Sequence, residues 1–167
     1  MFDMKEFHTK GFLELSEPDG LDLIDIDSFK LLNREDRLRD NGRKDLDQDL
    51  VKRLDMFSHH LLAKYIQPEW PNGEFAYWIV WEGVDHDNTG WHTDFMEQYD
   101  VFFLYYFDDT TPENGGSISF KWGDETYTKY PKAGDLFLVS NEMGFWHKAE
   151  HTSIERRVAS FNYHIND

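Results

Sequence analysis

The stretch DVFFLYYFDDTTPENGGSISFKW, residues 100–122, holds two short aromatic and β-branched runs parted by a turn rich in Pro, Asn and Gly. This is the pattern of strands joined by a compact connection. Alternation in the first run sets Phe102, Leu104 and Tyr106 on one face and Phe103, Tyr105 and Phe107 on the other. Runs of the same kind recur on both sides: EFAYWIVWE before it, and ETYTKY, DLFLVS and RVASFNYHI after it, divided by NTG, WGDE and PKAGD. Several short strands at this spacing predict a sandwich or jelly roll.

Upstream the period changes. Leu46, Leu50, Leu54, Phe57, Leu61 and Tyr65 recur every three or four residues, and Val51 and Leu62 widen the stripe. That predicts an amphipathic helix over Asp45 to Ile66, ending before Pro68, with its stripe packed as core. GFLELS alternates weakly and reads as an edge strand, while residues 17–42 resolve no further than a short helix or loops. Helix first and sheets second give a mainly β protein with N-terminal helices (α+β), the helix covering one sheet. With no repeat, linker or low-complexity tract, residues 1–167 read as a single domain: 1–70 a helical support region and 74–165 the β-core.

Composition narrows the chemistry. Of 167 residues, 40% are hydrophobic and 17% aromatic, which suits a packed core rather than a disordered chain. There is no cysteine, so there is no disulfide, thiolate nucleophile or Cys-ligated metal, and any metal must be held by His, Asp and Glu. A net charge of −16 argues against nucleic acid, whose phosphates need Lys and Arg, and is compatible with a cationic partner. No apolar run approaches the roughly 20 residues of a membrane span. The start MFDMKEFHTK lacks the basic and apolar regions of a signal peptide, so the expected location is the cytoplasm.

Within WHTDF, His92 and Asp94 stand at i and i+2, where strand side chains share a face. Alone the pair means little: with 8 His and 33 acidic residues, about one such pair arises by chance. A redox metal that binds oxygen commonly takes two histidines and one carboxylate on one face, leaving positions open for oxygen and a chelating cosubstrate. In a jelly roll the second histidine comes from a later, opposing strand, and GFWHKAEH supplies His147, with His151 as the rival. Ten residues after His147 stands Arg157, placed to clamp a carboxylate in a bidentate fork. Arg156 is adjacent, and alternation forbids both arginines from facing inward.

In that order the motifs resemble the iron(II)- and 2-oxoglutarate-dependent dioxygenases, in particular their prolyl 4-hydroxylase-like branch. The resemblance covers about residues 74–165. WEGVDHDNTGWHTD resembles the family's Y-x-G followed by H-x-D, and VFFLYYFDDTTPENGGSISF its strand, turn and paired glycines. YPKAGDLFLVSN resembles the P-x-x-G-D strand, and WHKAEHTSIERRVASFNY the distal histidine with an arginine after a ten-residue gap. The resemblance implies a double-stranded β-helix with His92, Asp94 and His147 as iron ligands. It implies that Arg157 and Tyr106 hold the far carboxylate of 2-oxoglutarate, and that Trp81, at the place of the family tyrosine, borders the cosubstrate. An indole donates one hydrogen bond and accepts none. The implied reaction hydroxylates an unactivated C–H bond, a prolyl residue in a peptide or protein being the first expectation. It consumes O2 and releases succinate and CO2, with ascorbate as an accessory reductant. Related small oxygenases act on other side chains and small molecules. Trp78, Trp91 and Trp146 are candidates for excluding water, and the loops 84–90 and 109–115 for the rim. A cupin-like metal enzyme or binding module without 2-oxoglutarate is the alternative, and it needs neither Arg157 nor Tyr106.

Overall fold

A computed structural model describes residues 3–24, 38–39, 48–83, 90–94, 99–154 and 156–166. Thirteen elements follow in chain order: α1 (Met4–Lys10), β1 (Phe12–Ser16), α2 (Asp19–Leu23), β2 (Leu38–Arg39), α3 (Gln48–Leu61) with a π-helical turn (Leu62–Ile66), β3 (Glu74–Gly83), β4 (Val101–Tyr106), β5 (Ile118–Trp122), β6 (Glu125–Lys129), β7 (Asp135–Ser140), β8 (Phe145–Ala149) and β9 (Arg156–His164). The strands form two antiparallel sheets, a large one in the order β1-β7-β4-β9-β3-β2 and a small one in the order β6-β5-β8. GFLELS is the edge strand the sequence suggests, and its Phe12 pairs with Val139 of β7. Residues 45–47, the expected start of the long helix, lie outside the described residues. The N-terminal helix α1, not read from the sequence, is capped by Asp3, which accepts from the Glu6 amide.

The large sheet has two apolar faces, which is why its strands read as almost continuous hydrophobic runs. On the outer face Phe103, Tyr105, Leu136, Leu138, Ala159, Phe161 and Tyr163 pack under Leu50, Leu54, Phe57 and Leu61 of α3. Two polar ties fix that helix: Trp78 Nε1 donates to Asp55 at 2.9 Å and the Tyr163 hydroxyl to the Ser58 carbonyl at 2.8 Å. Trp78, one of three candidates for excluding water, is fully buried on this helix-covered side and is ordinary core. On the inner face Phe102, Leu104, Tyr106, Phe137, Val139 and Val158 meet Ile118 and Phe120 of the small sheet. The alternation read for β4 is the alternation observed: Tyr106 faces the space between the sheets and Tyr105 faces the helices.

Candidate metal and cosubstrate site

The three metal-ligand candidates come from two parts of the fold. His147 is on β8, opposite Phe120 of β5, and points between the sheets at 8% exposure. The HTD segment is joined to β8 by one antiparallel rung: the His92 amide donates to the His147 carbonyl at 3.1 Å, and the His147 amide returns to the His92 carbonyl at 2.9 Å. That rung brings the two imidazoles to 4.3 Å between centroids, tilted by 54°. Asp94, two residues on, shares the face. His92 Nε2 lies 3.9 Å from Asp94 Oδ1 and His147 Nε2 lies 3.8 Å from Asp94 Oδ2. One ligand atom from each of the three falls within 4.8 Å of the others, so a single ion can reach all three. His92 and Asp94 are about one-third exposed, at 35% and 33%, so the cluster is open on one side.

The protonation state of His147 suits a metal. Burial pushes the His147 imidazole down to about 4, against the pull of Asp94, and His92 pushes it further in the same direction. A neutral imidazole is what a metal requires. His92 Nδ1 lies 2.9 Å from the Gly90 carbonyl. Donation there assigns the proton to Nδ1 and turns the Nε2 lone pair toward Asp94 and His147. The Tyr99 hydroxyl donates to Asp94 Oδ2 at 2.5 Å. His151 stands apart, exposed, its carbonyl engaged by the Gly116 amide.

The arginine that faces the interior is Arg156, not Arg157. Arg157 turns to the other side of β9 and is taken by Asp108: Nε reaches Oδ2 at 2.9 Å and NH2 reaches Oδ1 at 2.5 Å. The Arg157 amide also donates to Asp108 Oδ2, at 2.8 Å. Arg156 is 3% exposed. Its NH1 donates to the Gly116 carbonyl at 3.1 Å, and its Nε has no partner among the described residues. Gly116 has φ +83°, and a side chain there would press on Thr110, Thr152 and the guanidinium, so a glycine is required for the approach. Tyr106, 2% exposed, faces the same interior. Burial pushes its hydroxyl up to about 12, opposed by the charge of Arg156 and aided by Asp135.

A signal for which arginine faces the interior was present in RRVASFNYH. Ser160 and Asn162 share the parity of Arg156, whereas Ala159, Phe161 and Tyr163 share that of Arg157 and pack under the helix. Trp81 lies opposite Val158 in the β3–β9 ladder, but its side chain, like the loop residues 84–89, falls outside the described residues. Trp91 lies under the Lys148 ammonium at 5.1 Å, and Trp146 is 39% exposed. Tyr99 was not singled out in the sequence, because nothing in its spacing marks it.

No family model matches the chain, and no curated protein matches it. Solved structures do. A prolyl 4-hydroxylase from Phytophthora capsici superposes with a TM-score of 0.73 at 15% identity, covering 96% of this chain and 60% of that one. HygX from Streptomyces hygroscopicus, with nickel and 2-oxoglutarate bound, gives 0.70 at 15% identity over 96% and 84%. A prolyl hydroxylase from Trichoplax adhaerens, in complex with a hypoxia inducible factor peptide fragment, gives 0.65 at 12% identity over 96% and 86%. The chain thus spans three-fifths of the Phytophthora protein and most of the other two. The chain shares the jelly-roll fold of these structures, the fold that the motif order implies.

Proposed function

We propose that this chain is an iron(II)- and 2-oxoglutarate-dependent dioxygenase that hydroxylates an unactivated C–H bond, with a prolyl residue of a peptide or protein as the first substrate class. Residues 74–165 form its catalytic β-core and the preceding 70 residues its support. The observation that carries this reading is the pairing of the His92–Asp94–His147 cluster with a buried arginine in the same interior. A guanidinium out of water is costly unless an anion meets it, and Arg156 has one carbonyl and an open Nε. A dicarboxylate that reaches the metal with one end and Arg156 with the other fits both features. A cupin-like protein without 2-oxoglutarate leaves Arg156 with no anion, so that reading is the weaker.

His92, Asp94 and His147 would hold iron(II) on one face, which suits a non-haem oxygenase with open positions. The bound group supplies the oxidising chemistry, coupling decarboxylation of 2-oxoglutarate to succinate and CO2 with insertion of one oxygen atom of O2 into the substrate. The protein supplies positions. The β8 rung fixes the two imidazoles, Gly90 fixes the tautomer of His92, and Arg156 presents a planar fork to the far carboxylate, with Tyr106 beside it. The aromatic layer of Phe102, Phe120 and Phe137 keeps the inner wall apolar and lowers the dielectric in which Arg156 acts.

A peptide substrate agrees with the Trichoplax structure, which holds a peptide fragment, and the charge of −16 favours a cationic one. The test is 2-oxoglutarate turnover. Iron-loaded protein should form succinate at a rate raised by proline-containing peptides, with a +16 Da product by mass spectrometry. Ascorbate should prolong turnover. Succinate formation independent of both iron and protein would remove the proposal.

A further inference from the structure

We infer that Tyr99 is a positioning residue for Asp94, holding that carboxylate so that it offers one oxygen rather than two to the ion. This rests on the iron-site reading above. Among the described residues the segment that carries Asp94 pairs at His92, and Asp94 is one-third exposed, so the described part of its own strand does little to orient it. Tyr99 does so from a rigid place. Its ring is 6% exposed and sits edge-on to Tyr77 and Phe102, with centroids at 5.8 and 5.7 Å. Its carbonyl accepts from Asn141 Nδ2 at 3.1 Å, and the next amide, Asp100, donates to Tyr163 at 3.0 Å. The phenol thus reaches Asp94 Oδ2 from a main chain tied to the end of β7 and to β9, at 2.5 Å, the short end of a charge-assisted bond.

The consequence is a matter of coordination number. Two imidazoles and one carboxylate oxygen fill three of about six positions on iron(II). Oxygen and a two-toothed 2-oxo acid need the other three. A carboxylate gripping through both oxygens would take a fourth and leave too few. A hydroxyl bound to Oδ2 makes Oδ1, on the His92 side, the freer ligand and penalises the two-oxygen grip.

Cobalt(II), whose visible d–d band reports its coordination, is the probe. Wild type, Tyr99→Phe, Asp94→Ala and, as a distant phenol control, Tyr127→Phe are titrated by calorimetry and followed by the visible d–d band. Loss of an outer partner of a ligand typically weakens metal binding about 10–100-fold. Tyr99→Phe should show that loss together with a changed band intensity, at a melting temperature close to wild type, while Tyr127→Phe matches wild type in both readouts. Equal affinity and an identical band in Tyr99→Phe would overturn the inference and leave the iron site standing. Undiminished binding by Asp94→Ala would overturn the iron site itself, and this inference with it.

Discussion

Asp108 grips Arg157 by two side-chain bonds and a main-chain bond, at 2.9, 2.5 and 2.8 Å, and so decides which arginine of the pair enters the interior. Asp108 stands two residues past the end of β4, and the Phe107 amide donates to the Arg157 carbonyl at 3.1 Å. The clamp therefore sits where β4 ends and β9 begins. With Arg157 pinned outward, alternation turns Arg156 in toward Gly116.

The two arginines should therefore fail in different ways. Arg156→Ala should leave the fold near wild type and weaken 2-oxoglutarate binding. Removing one partner of a buried charge pair costs about 3–5 kcal/mol, roughly a hundred-fold or more in affinity. Arg156→Lys should lose much of the same affinity, because the charge stays and the fork goes. Arg157→Ala should leave 2-oxoglutarate affinity within a few-fold. It should cost on the order of 1–3 kcal/mol of stability through the orphaned Asp108, a fall of several degrees in melting temperature. Isothermal titration beside thermal melts of both variants reads the split, and equal 2-oxoglutarate losses would contradict it.

The proposed third ligand has a similar internal control. His147→Ala should abolish iron(II) binding, whereas His151→Ala, altering an exposed side chain outside the cluster, should bind as wild type does. Measuring iron stoichiometry after anaerobic loading decides this, and a normal stoichiometry in His147→Ala would refute the ligand set.

Stability should depend on pH through Glu17. Burial alone would raise this carboxyl. Hydrogen bonds from Lys64 and Tyr65, with the charges of Lys64 and His60, outweigh burial and hold it below its ordinary value of 4.5. A group depressed in the folded state stabilises the fold at pH above its unfolded value, and that contribution disappears as pH falls through the folded one. Glu17→Gln should therefore melt lower than wild type at pH 7, by about 2–4 °C for each kcal/mol lost, with the gap closing steadily below about pH 4.5. A gap that widened on acidification would show the sign to be wrong.

How far the sequence could be read follows from which patterns have one meaning. The β4 strand and the α3 stripe were legible because their periods of two and of three to four leave little choice of face, and Tyr106 came out on the correct side. The clustering of His92, Asp94 and His147 was legible because i, i+2 spacing and motif order survive without exact register. The inward face of the arginine pair was not legible, because the stretch between β8 and β9 carries no countable period, and a slip of one residue exchanges the faces of a strand. Both faces of β9 are buried, so hydrophobicity alone did not set the phase, and the polar parity of Ser160 and Asn162 was the available cue. Tyr99 was invisible because it acts across space, through a hydrogen bond that no local spacing encodes.

The most direct test of the oxygenase account is the visible spectrum of the protein with iron(II), oxygen-free, as 2-oxoglutarate is added. Chelation of iron by the keto oxygen and near carboxylate produces a weak metal-to-ligand charge-transfer band. The account predicts that this band appears and saturates with one 2-oxoglutarate per iron. An iron-loaded protein that shows no band at saturating 2-oxoglutarate would contradict it.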